Sequence, residues 1–80
     1  MTNNERLPAL REAIGYMGGI IAFSKRMGVT HQAVYHWFRR GAVPVKHALV
    51  IERLTDIPRE ELISELDREL LKAAAENAKL

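Results

Sequence analysis

Between Met27 and Gly41 the sequence reads MGVTHQAVYHWFRRG, and within it His31, Gln32, Tyr35, His36, Arg39 and Arg40 bring hydrogen-bonding and cationic groups close together. The stretch has a helical period, and at about 100° per residue it sorts into two halves. Ala33, Val34 and Trp37 share one arc with Phe38 at its margin, while the six polar residues fill the opposite half. No carboxylate lies on that half to repel a phosphate. His, Gln and Tyr can hydrogen-bond base edges, and Gln can pair bidentately with adenine in the major groove. Arg suits phosphate because its planar fork donates two parallel hydrogen bonds and keeps its charge. A short polar helix face can also be merely solvated, so the surroundings of the stretch decide between the two readings.

Charge is the first of those surroundings. The chain has 80 residues and a net charge of +2, but residues 1–50 hold seven Lys or Arg against Glu5 and Glu12, a net of +5, and residues 51–80 a net of −3. Between Glu12 and Glu52 there is no acid, and Lys25, Arg26, Arg39, Arg40, Lys46, His31, His36 and His47 all fall there. A basic half beside an acidic one points to a polyanion as partner for the first. The absence of cysteine removes disulfides and thiolate metal sites. The apolar runs are too short for a membrane span, and the opening MTNNERLPAL lacks the layout of a secretion signal, so a cytoplasmic protein with no membrane partner is expected.

Gly and Pro divide the chain into short segments of helical period, with no repeat and no alternating strand, so the fold class expected is all-α with about five helices. Leu7, Leu10, Ile14 and Met17 place a first helix over about 7–17, with Pro8 in its first turn and Gly18-Gly19 after it. A second covers about 20–27 and stops at Gly28, which suits a left-handed cap. Thr30 can cap the third. Pro44 opens a fourth that runs to about Thr55, and TDIPREEL supplies a cap, a proline and first-turn acids for a fifth from about Pro58. Residues 1–66 are expected to form the principal domain and 67–80 a helical extension.

Two helices joined by a short turn around a glycine, the second bearing such a face, form the helix-turn-helix layout. Phe23, Met27, Val29, Val34 and Trp37 surround Gly28, and the small Ser24 falls where the two helices approach. From about Gly18 to Leu66 the chain resembles the phage Cro repressors and the related YdaS-like Cro/antitoxin helix-turn-helix proteins. The likeness is sharpest in MGVTHQAVYHWFRRGAVP and weaker in IERLTDIPREEL. The resemblance implies a sequence-specific DNA-binding regulator of phage or prophage origin with a lambda-repressor-like domain. It implies that Trp37 is core, that His31, Gln32, Tyr35 and His36 face bases, and that Thr30, Arg39 and Arg40 touch phosphates or adjacent bases. Lys25, at the far end of the second helix, is a further candidate for phosphate, with plain solvation as its alternative. The chain departs from the family pattern at Ile20, where Gln is usual and makes a phosphate contact, and at Ser24, where Ala is usual.

His31 and His36 are five residues apart and point away from each other, so no metal site is expected, and no cofactor. No nucleophile with a base, phosphate loop or ligand cluster suggests an enzyme. The expected function is a Cro-like repressor that binds a palindromic operator in double-stranded DNA as a homodimer. The alternative is an antitoxin that binds DNA and grips a toxin through its C-terminal region. The fourth helix is apolar almost all round, with Val45, Ala48 and Leu49 on one side and Val50, Ile51 and Leu54 on another, which suits either a dimer interface or burial between helices. In the tail, Ile63, Leu66, Leu70, Ala73, Asn77 and Leu80 recur at three-four spacing, a candidate partner contact too short to assert a coiled coil.

Overall fold

The computed structural model describes residues 7–78. Residues 1–6, 79 and 80 lie outside the description, and with them the amino-terminal stretch and the place of Leu80 on the expected stripe. Five α-helices follow one another: α1 (Pro8–Tyr16), α2 (Ile20–Met27), α3 (His31–Arg40), α4 (Val45–Thr55) and α5 (Glu65–Ala78), with a 3-10 turn (Arg59–Glu61) before the last. Among the described residues there is no strand.

Local sequence accounts for the boundaries. Pro8 occupies the first turn of α1, where its missing N–H costs nothing. Gly28 and Gly41 end α2 and α3 in the left-handed conformation, at φ 71° and 76°, which residues with a Cβ adopt only at a cost. The Thr30 hydroxyl accepts from the Ala33 N–H at 3.1 Å and satisfies one of the free donors that open α3. Asp56 ends α4 at φ 64°, a conformation that its short polar side chain tolerates better than most.

The fifth helix does not start at Pro58. The Thr55 hydroxyl donates to the Ile51 carbonyl at 2.8 Å and accepts from the Ile57 N–H at 3.2 Å, so it closes α4 instead of opening a new helix. The 3-10 turn follows, and Leu62 and Ile63 are both buried immediately after it. The Val43 N–H donates to the Leu62 carbonyl at 2.7 Å and ties this segment to the loop after α3. α5 begins only at Glu65, where the Ser64 hydroxyl accepts from the Asp67 N–H at 3.1 Å.

The core draws on all four helices between Leu7 and Thr55 and on the segment that follows, as far as Ile63. Leu10 of α1, Phe23 of α2, Val34 of α3, Val43 of the loop, Ile51 of α4 and Leu62 are fully buried. α4 packs against α1, α2 and the 3-10 turn, so most of its all-round apolar surface is used inside the molecule, and Val50 is the large apolar side chain of α4 left exposed. α5 is different. Leu71 packs on the core, but the helix has only sparse contact with the other elements. The molecule is accordingly long, 43 × 26 × 18 Å, with a radius of gyration of 13.0 Å.

Candidate nucleic-acid interface

The site is assembled by packing two short helices against each other. Phe23 and Ser24 of α2 are buried beside Val34 and Trp37 of α3, with Met27 and Val29 half-buried at the turn between them. Ser24 is 4% exposed, in keeping with the close approach expected of it. Large apolar groups on one side of α3 therefore fix which residues face out.

The outward half is the one anticipated from the helical period. His31, Gln32, Tyr35, His36, Arg39 and Arg40 are all exposed, Val34 and Trp37 are buried, and Ala33 and Phe38 are half-buried. Thr30 is exposed at the start of the same face; its oxygen already accepts from Ala33, and its O–H is left to donate outward. Arg39 and Arg40 occupy the last turn of α3, where cations favour the negative end of the helix dipole, so their placement serves the helix as well as the surface. Seven of the eight candidate contact residues thus lie on α3 and its cap. Lys25 stands apart on α2, exposed, where with Arg26 it lines an open groove together with Tyr16, Met17, Ala22 and Leu54.

Behind the exposed face lies a contact that the sequence did not signal. The imidazole of His47, near the start of α4, sits 5.2 Å from the Trp37 ring, centroid to centroid, at 35° between planes. Partial burial, and after it the charge of Lys46, holds the His47 pKa below its ordinary value of 6.5. The residues are ten apart in sequence and on different helices, so no local period could reveal the pair. It braces α3 against α4.

Among the described residues no group of three or more His, Asp or Glu side chains is arranged to hold a metal ion, and no helix is long and apolar enough to cross a membrane. The arrangement instead offers a convex helix with exposed donors and acceptors and a cationic end. A short α2, a glycine turn and an α3 held by its apolar side define a helix-turn-helix domain. The model of the DNA-binding transcriptional regulator Cro family matches residues 9–57, more than half of the chain, and the protein belongs to that family. The match runs from α1 through the end of α4 and so contains the whole helix-turn-helix. Comparison with curated proteins and with solved structures returned no match.

Proposed function

We propose that the protein is a Cro-like repressor that binds a palindromic operator as a homodimer, α3 of each copy entering the major groove. The observation that carries this reading is the outward half of α3: base-compatible His31, Gln32, Tyr35 and His36 followed by Arg39 and Arg40, with no acid between Glu12 and Glu52 to oppose a phosphate. Phosphate contacts set the register of a protein on the duplex, and base contacts supply the sequence information. In this division of labour Arg39, Arg40, Lys25 and the Thr30 hydroxyl hold the backbone, and His31, Gln32, Tyr35 and His36 read the groove. Two copies related by a two-fold axis would address half-sites about one helical turn, roughly 34 Å, apart. Repression follows by occlusion, since the bound dimer covers DNA that polymerase needs, in the cytoplasm of the bacterial host.

Selection of bound sequences from random duplexes tests the reading. A palindromic consensus is expected. Gln32→Ala and His36→Ala should each lose about 1 to 3 kcal/mol on that operator and little on scrambled DNA, because only the specific hydrogen bond disappears. Arg40→Ala should weaken both by similar factors. Equal losses on both duplexes for Gln32→Ala and His36→Ala would remove these residues from base readout.

A further inference from the structure

α5 spans 14 residues, a rod about 21 Å long, and it is held to the body mainly on the side of Leu71. Its opposite side is an unpartnered apolar stripe. Leu66 is 68% exposed and Leu70 58%, and Ala73 and Asn77 continue the same line at helical spacing. Isolated helices of this length are marginal in water, so the stripe calls for a cover. Its flanks say what kind. At about 100° per residue, Glu69, Glu76 and Glu65 border the stripe on one side, with Lys72 just beyond them, and Asp67 and Ala74 border it on the other; Arg68, Lys72 and Glu69 also line a groove with Arg59. The residues next to the stripe are acidic or neutral, and the nearest cation, Lys72, lies beyond the glutamates. Two α5 helices laid stripe to stripe would therefore bring like charges together or find none opposite, whether they ran parallel or antiparallel.

The complementary surface exists elsewhere on the same chain. Met17 and Leu54 are half-buried in the open groove at the ends of α1 and α4, a space of 550 Å³ bordered by Lys25, Arg26, Ala22 and the 71% exposed Tyr16. It has an apolar lining for leucines, and the Arg26 guanidinium and the Tyr16 phenol can each donate to a carboxylate. No ion pair of Lys25 or Arg26 is formed among the described residues. We propose that the occupant of this groove is α5 of a second copy, Leu66 and Leu70 lying against Met17 and Leu54 while Glu65 and Glu69 meet Arg26 and the Tyr16 phenol, which leaves Lys25 to the DNA backbone. Two such contacts, each copy giving its α5 to the other, close a two-fold dimer in which one patch always meets the other. The proposal rests on the dimeric reading above and names its interface. It gives the acidic second half of the chain a role that DNA binding leaves unexplained.

The test is sedimentation equilibrium of the full chain with and without operator, using the surface variants Arg26→Glu and Glu69→Arg, the two combined, and Leu66→Gln with Leu70→Gln; circular dichroism checks that each remains folded. Each single charge reversal should weaken self-association about tenfold, and the leucine pair more, while the combined reversal recovers most of the loss because opposite charges again face each other. Three results overturn the interface. They are a chain that stays monomeric even on operator, a leucine pair that acts while Arg26→Glu does not, as α5-to-α5 pairing requires, and a combined reversal no better than either single one. Binding of a single half-site by monomeric variants, read by fluorescence anisotropy, separates these results from failure of the DNA-binding reading, which would abolish half-site affinity as well.

Discussion

Ser24 illustrates how a residue chosen for its size can carry an unneeded atom. Its hydroxyl is buried and has no hydrogen-bond partner among the described residues. A buried hydroxyl without a partner costs about 1 to 3 kcal/mol by mutational measures. Ser24→Ala keeps the close approach and removes the orphan, so urea denaturation should show the variant more stable by about 1 kcal/mol. A loss of stability would mean the hydroxyl is satisfied in solution. His47 gives a second expectation at this scale. Its folded pKa lies below 6.5, so the unfolded chain takes up a proton first as pH falls. Its contribution to stability is thus full above that value and declines below it, until the folded state protonates too. Thermal unfolding compared at about pH 7.5 and about pH 5.5 should show a smaller fall for His47→Phe than for the parent. An equal fall would assign the pH dependence to other groups. The exposed residues of α3 and the small size required at Ser24 could be read from helical period alone. The orphan hydroxyl and the His47–Trp37 contact could not, because both depend on distances between elements.

At the scale of the element, α2 and α3 were legible because all their determinants are local. The apolar arc, the Thr30 cap and the two left-handed glycines all fall within the stretch from Ile20 to Gly41. Truncating the arc should be severe: Trp37 is 4% exposed, and Trp37→Ala is expected to cost about 3 to 5 kcal/mol, a large part of the stability of so small a domain. A variant that melts normally but binds DNA less well would place Trp37 on the surface. Thr30→Ala should cost only about 1 kcal/mol through the lost cap, and would also remove the hydroxyl proposed to donate to phosphate. The segment TDIPREEL was misleading for a physical reason. Its cap residue, proline and acids are all helix-start signals, but the Thr55 hydroxyl closes α4 instead of opening a helix, Leu62 and Ile63 enter the core in the connecting segment, and the Leu62 carbonyl accepts from the Val43 N–H. Tertiary contact overrode local preference there. Ile63 then leaves the expected stripe, and Leu71, on the other side of α5, makes the core contact.

For the whole molecule the deciding quantity is where charge lies. A net of +2 is too small to explain attraction to a polyanion, but the acid-free run between Glu12 and Glu52 supplies all of α2, the turn and α3, so the field near the exposed face of α3 is positive while the opposite sign gathers after Ile51. Such a chain should be steered to DNA with α3 leading and α5 trailing. Binding to duplex DNA releases condensed counterions as cations neutralise phosphates, so log affinity should fall linearly with log salt, by a slope of about 0.9 per phosphate contacted. Replacing a cation that touches phosphate flattens that line, whereas replacing one that only contributes to the distant field shifts affinity at low salt and leaves the slope nearly unchanged. Arg40→Ala is therefore expected to reduce the slope by about one, on operator and on random sequence alike. Lys72→Ala, on α5, should leave it where it was. Fluorescence anisotropy over a salt series on both duplexes distinguishes the two behaviours. Equal slopes for Arg40→Ala and the parent would turn that side chain toward solvent or a base and remove the backbone anchor at the C-terminal end of α3.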